Sequence, residues 1–359
     1  MKQDEIIVIY GDRPRDMVKT LLDQARPEQG LDKQALIGIK PNLVVAKPHT
    51  SGATTSPELV AGVIEHFQSK GYNRMVILEG SWVGDRTSEA FRICGYQELA
   101  QRYGVQLADL QKDSFREYDA GGFRLNVCDQ AMEVDYLINM PVLKGHCQTG
   151  ITCALKNLKG CIPDSEKRKF HTMGLHQPIA YLNKLLKQHL IIVDGMMGDL
   201  DFEEGGNPVQ MNRVISGVDP VLIDSYAAQL LGFDPGEIPY IGLAQQLGVG
   251  RLQRHFDTVI ELNRDQYCKP LPRTRKVQEL TRYIDDRDAC SACYGSLVHA
   301  LGRLKERGRL NELREKICIG QGYRNQVVPG IGVGSCTRNC TLHLDGCPPK
   351  AKDIIDFLG

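Results

Sequence analysis

Short apolar runs alternate with amphipathic stretches through residues 1–250. The runs Ile6–Tyr10, Leu36–Lys40, Arg74–Glu79, Val134–Asn139 and Leu190–Asp194 have the length and composition of buried strands. Between them, Pro57–Lys70 sets Leu59, Val63, Ile64 and Phe67 at helical spacing. Ser56 is its N-cap, Pro57 its first helical residue and Gly71 its stop. Asp219–Leu231, followed by Gly232, predicts another helix with Asp219 as cap. Ser114–Asp129 reads as an inserted hairpin turning at Gly121-Gly122. Strands and helices in this alternation predict an α/β fold: a largely parallel sheet with flanking helices. The pattern breaks near residue 265, where Lys269-Pro270-Leu271-Pro272 reads as a linker. Residues 1–265 are therefore expected to form the α/β domain and 266–359 a small cysteine-rich segment with a helix around Gly295–Lys305.

Charge changes this picture by exclusion. The 359 residues carry 44 Lys plus Arg and 44 Asp plus Glu, so there is no basic surplus for a nucleic-acid partner. Aromatic residues make up 6%, with a single tryptophan, which argues against a base-stacking platform. No stretch of 18 apolar residues predicts a membrane span, and the first residues lack the apolar stretch of a signal peptide, so a cytoplasmic location is expected. Neither a Walker A lysine motif nor a serine nucleophile elbow occurs.

Six of the twelve cysteines lie between residues 290 and 347: Cys290, Cys293, Cys318, Cys336, Cys340 and Cys347. Cys290-x-x-Cys293 can bring two thiolates to one metal, and Cys347 precedes Pro348-Pro349, as iron–sulfur ligands often do. A 4Fe–4S cluster is the leading reading. Structural zinc is the alternative, weakened because the second pair, Cys336 and Cys340, is spaced C-x-x-x-C. Spacing alone does not select four ligands from six. The scattered Cys94, Cys128, Cys147, Cys153, Cys161 and Cys268 read as small buried hydrophobes.

Polar residues gather where the predicted strands end, the usual ligand position in open α/β sheets. Lys40, Asn42, Glu79, Ser81 and Asp194 follow strands, and Thr54 and Thr55 open a helix where hydroxyls and N–H groups suit an anion. Lys144, Lys156, Asn157, His146 and His171 complete a cationic pocket in an otherwise neutral chain. A small anionic substrate, a carboxylate or a phosphate, is the expected ligand. Lys144, His146 and His171 are the catalytic candidates, the imidazoles because they titrate near neutrality. Lys40, Asn42, Thr54, Thr55, Glu79, Ser81, Lys156, Asn157 and Asp194 are the substrate-binding candidates. The loop Glu203–Pro208 is placed to cover the pocket.

Lys40-Pro41-Asn42, the helix start Thr54–Val60, Glu79-Gly80-Ser81, Pro141–Lys144, Leu155–Gly160 and Val193-Asp194-Gly195 together resemble the family known as domain of unknown function 362. The resemblance covers about residues 35–250, and the cysteine region resembles an extension some members carry. It implies an iron–sulfur centre, with Cys290, Cys293, Cys336 and Cys347 as the recurrent ligands and Cys318 and Cys340 as additions. It implies no substrate. An iron–sulfur oxidoreductase acting on a small anion, with a redox partner protein and room for an oligomer, is the favoured function. A non-redox isomerase or lyase with a structural metal, and a non-catalytic electron-transfer or assembly subunit, are the alternatives.

Overall fold

The computed structural model describes residues 1–252, 259–264, 271 and 276–359. Its centre is an eight-stranded sheet. The strands are β1 (Ile6–Tyr10), β2 (Ile37–Pro41), β3 (Met75–Glu79), β4 (Gln106–Asp109), β7 (Tyr136–Met140), β10 (Leu190–Asp199), β11 (Pro208–Gly217) and β12 (Val259–Glu261). They lie in the order β12-β1-β11-β10-β7-β2-β3-β4. Only β11 is antiparallel to its neighbours. Residues of β1 alternate between the two sheet faces. Ile6 and Val8 join one core with Leu78, Leu137 and Val193, while Ile7 and Ile9 join the other with Ile39, Ile77 and Ile138. Burial on both faces explains why these strands read as continuous apolar runs.

From β2 the chain builds outward through β3 and β4. It then makes the hairpin β5 (Phe115–Asp119) and β6 (Arg124–Cys128) and returns to lay β7 on the opposite side of β2. Gly121 and Gly122 turn that hairpin with φ of 92° and 91°. Reversal of strand order between β2 and β7 opens a crevice beyond their carboxyl ends. The short ribbon β8 (Lys144–His146) and β9 (Gly150–Thr152) and the strap 200–207 close one side of it.

The C-terminal region forms a second, parallel sheet ordered β13 (Ile284–Asp286), β14 (Ile317–Ile319), β15 (Val328–Val333) and β16 (Cys340–Leu344). Leu297, Val298, Leu301 and Leu304 of the helix Ser291–Glu306 pack on Ile317, Ile319 and Val333 of this sheet.

The structure departs from the pattern in identifiable places. β10 runs on to Asp199 because β11 bonds along it through a bulge between Gly195 and Met197. β11 itself is masked by Gln210, Asn212 and Arg213. β13 and β14 have three residues each, too short to show a period. The C-terminal helix begins at Ser291, four residues before the expected start. Cys268 and the expected linker, except Leu271, lie outside the described residues.

Gly145 of β8 lies beneath the strap, and an added Cβ would fall 2.1 Å from Leu200 O. Gly145→Ala is therefore expected to cost about 1–3 kcal/mol, seen as a lower urea midpoint with an unchanged slope.

Candidate functional site

A cleft of about 670 Å³, open to solvent, occupies the crevice. Asn42 follows β2, Glu79 and Gly80 end β3, and Lys144 begins β8. Lys156, Asn157, Lys159 and Gly160 come from the short helical turns after Cys153. Lys167, Arg168 and His171 come from the helix Asp164–Thr172, where Lys167 and His171 are four residues apart and share a face. The strap contributes Glu203, and the C-terminal region contributes Cys290, Ser291 and Ala292. Val44, Trp82 and Val83 form an apolar wall with Ala292.

Much of the expected binding set is taken up internally. Lys40 pairs with Glu79 at 2.7 Å, both buried. Glu79 also accepts from Gly80 N and Leu43 N. Lys144 Nζ donates to Asn42 Oδ1 at 2.9 Å, Glu203 O at 2.7 Å and Ala53 O. Asn42 Nδ2 continues to Asn157 Oδ1 at 2.8 Å, and Asn157 Nδ2 to Asn139 Oδ1 at 2.6 Å. Thr54 and Thr55 donate their hydroxyls to Lys47 O and Met140 O. The helix start expected to receive an anion is occupied by Asp194, whose Oδ2 accepts from Ser56 N at 2.7 Å. Ser81 Oγ donates to Leu43 O. Thr54, Thr55, Ser81 and Asp194 are therefore positioned as scaffold, and none of them lines the cleft.

The two histidines separate. His146 Nδ1 accepts from Gln148 N at 3.0 Å and Thr149 N at 3.2 Å, so the ring proton sits on Nε2, in close contact with Glu203. Burial pushes its pKa down to about 4, against the pull of Glu203. His146 belongs to a neighbouring cavity with Cys147 and His176. His171 does line the cleft, and its Nε2 faces Lys159 Nζ at 2.9 Å and Ser291 N at 3.4 Å. Burial, reinforced by Lys159, holds His171 well below the ordinary histidine value.

Lys159, Lys167, Arg168 and Trp82 are additional cleft residues beyond the expected set, and Glu203 enters from the loop expected to cover the pocket. The spacing Lys167-x-x-x-His171 was one available signal. Lys159 was legible only as part of the Leu155–Gly160 string. Burial, with Lys156 nearby, pushes the Lys159 pKa down to about 7, and burial does the same to Lys144. Burial alone would raise Glu203, but His146, Lys156 and Lys159 outweigh it and hold the carboxyl well below the usual range. Lys156 meets Glu203 at 3.1 Å, and Lys167 bonds Asp164 at 3.0 Å and Ser81 O at 2.8 Å.

The six C-terminal cysteines fall into two groups. Cys318 and Cys340 pack together with Tyr323 in a small buried cluster, and a hydrogen bond to Cys318 helps raise Cys340 to about 11, after burial. Cys290 caps the helix Ser291–Glu306, with Cys293 in its first turn. Burial raises both thiols, and the charges of Cys336 and Cys347 raise them further. Arg324 Nε donates to Cys336 Sγ at 3.4 Å. Among the described residues no three His, Cys, Asp or Glu side chains converge closely enough to hold a single metal ion. Cys94, Cys128, Cys153 and Cys161 are buried, and Cys147 is half-buried.

Fold and cleft define an α/β protein with a cationic crevice at a strand-order reversal. The chain belongs to the family described as Domain of unknown function (DUF362), whose model matches residues 37–229 and so ends before Cys290. It is similar to a thylakoid-associated protein, sll1697, of Synechocystis sp., at 26% identity over 229 residues, covering 59% of this chain and 67% of that one. Among solved structures it matches the lactate racemase apoprotein from Thermoanaerobacterium thermosaccharolyticum at 15% identity and a TM-score of 0.43. That match covers 66% of this chain and 59% of the racemase chain. No helix among the described residues is long and apolar enough to cross a membrane.

His146, in the neighbouring cavity, gives the fold a pH signature. Its folded pKa, about 4, lies below the unfolded value of about 6.5. The unfolded chain therefore binds more protons between these values, and stability falls as pH drops through that window. The loss expected from this group is about 3 kcal/mol by pH 4. Urea midpoints measured from pH 7 to 4 check this, and His146→Gln is expected to flatten the slope.

Proposed function

We propose that the protein is an iron–sulfur oxidoreductase that binds a small carboxylate or phosphate. The observation that carries this reading is the position of Cys290, which lines the same cleft as Lys156, Lys159 and His171. Cys290, Cys293, Cys336 and Cys347 would hold the cluster, and a 4Fe–4S centre there would supply one-electron transfer.

The chain's own residues prepare the substrate. Arg168, which makes no ion pair with a carboxylate among the described residues, and Lys156 and Lys159 attract the anion. Glu203 orients Lys156, and the fixed position of Lys144 holds the strap that carries Glu203. Trp82 and Val83 limit water on the opposite wall. His171 Nε2 exchanges a proton with Lys159 Nζ across their 2.9 Å contact. Cys347 is exposed, which gives a redox partner protein an approach from outside the cleft.

Protein purified without oxygen is expected to contain iron and acid-labile sulfide and to absorb near ~400 nm. Cys290→Ser and Cys347→Ser should each lose iron, whereas Cys318→Ser should retain it because Cys318 belongs to the separate Tyr323 cluster. Full iron content in both of the first two variants would remove the assignment.

A further inference from the structure

The lysines of the cleft differ in what satisfies them. Lys144 has three oxygen acceptors, Lys156 has Glu203, and Lys167 has Asp164 and Ser81 O. Among the described residues, the hydrogen-bond partner of Lys159 Nζ is a nitrogen, His171 Nε2, and no carboxylate lies within ion-pair distance. His171 is 7% exposed, and its Nδ1 is buried without a partner. Because Nε2 receives hydrogens from Lys159 and Ser291, the imidazole proton belongs on Nδ1. An amine that faces a proton acceptor, stands next to other cations and has no carboxylate bonded to it is the arrangement that activates lysine as a nucleophile.

We propose that Lys159 forms an imine with the carbonyl carbon of a 2-oxo carboxylate bound in the cleft. This deepens the small-anion reading and rests on it. Arg168 and Lys156 face the carboxylate, and Val44, Trp82 and Val83 face the rest of the molecule. The Lys159 ammonium gives one proton to His171 Nε2, and Nζ then adds to the carbonyl carbon as the C=O π bond breaks. A second nitrogen-bound proton passes to the alkoxide, giving a carbinolamine. Protonated His171 returns its proton to that hydroxyl, the C–O bond breaks, and water leaves. The product is a protonated imine: one ammonium and one ketone have become one iminium and one water, with no change of oxidation state. Arg168 and Lys156 act as binding residues, while His171 is the proton-transfer residue.

The test uses pyruvate as the probe with cyanoborohydride as the trapping reductant, on the full chain. Intact-mass and peptide analysis read the adduct. Fluorescence of Trp82, the single tryptophan of the chain, reads binding in the cleft. The expected result is a saturable fluorescence change and one reductive adduct per chain, located on Lys159. Lys159→Arg should lose the adduct, and His171→Ala should slow trapping by about a hundredfold. A saturable fluorescence change without an adduct, or with label spread over exposed lysines, overturns the imine and leaves the anion cleft standing. No fluorescence change and no adduct with pyruvate overturns the oxo-acid assignment. If phosphate also produced no fluorescence change, the small-anion reading would fail with it.

Discussion

Burial of positive charge is the constraint around which the crevice is organised. An ammonium taken from water costs several kcal/mol unless its surroundings replace the lost hydration. Lys40 and Lys144 are both almost completely buried, and they are compensated differently. Lys40 has the Glu79 carboxylate. Lys144 has carbonyl oxygens and the head of a chain of amides. That chain runs Asn42, Asn157, Asn139, Gln188, Asn183, each Nδ2 or Nε2 donating to the next oxygen. It ends on the main-chain oxygens of Leu155 and Ile179. Every carbonyl oxygen in the series points back toward the ammonium, so the dipoles add. Loss of one member would leave a buried donor and a buried acceptor without partners, each costing about 1–3 kcal/mol. The result is a floor whose polar atoms are committed, above which Lys156, Lys159, Arg168 and His171 remain to act.

The C-terminal region belongs physically to this site. Gln148, in the loop between β8 and β9, donates to Ala289 O and accepts from Ser291 Oγ, which anchors the start of the cysteine-bearing helix. Gln321 donates to Arg168 O. Phe202 of the strap meets His299 of the same helix edge-on at 4.7 Å. The strap is held in turn by Asp199, whose oxygens accept from Asp201 N, Phe202 N and Asn207 N. Packing thus places Cys290, strap and cations around one space, although Asn42 and Cys290 are more than two hundred residues apart.

Legibility followed the distance over which each physical cause acts. The Pro57 helix and the strands β1, β2, β3 and β7 could be read because their apolar positions are dictated by burial on a local period. Asp219 was correctly read as a cap: it accepts from Val221 N and Leu222 N. Asp194, Thr54 and Thr55 have residue types equally suited to binding an anion and to holding a backbone. Their commitment to Ser56 N, Lys47 O and Met140 O depends on segments distant in sequence. The same holds for His146, whose ring is fixed by Gln148 N and Thr149 N on one side and Glu203 on the other.

The order of residues alone determined the α/β alternation, the crowding of six cysteines near the end of the chain and the placement of lysines after strands, because these are properties of local pattern and composition. Tertiary structure decided which of those groups keep chemical freedom. It joined Cys318 to Cys340 beside Tyr323 and set Cys290 on the cleft. It satisfied Lys144 with oxygen while giving Lys159, among the described residues, an imidazole nitrogen. Hydrogen-bond satisfaction and desolvation are set by neighbours in space, so residues of identical type acquire different chemistry only when the chain has folded.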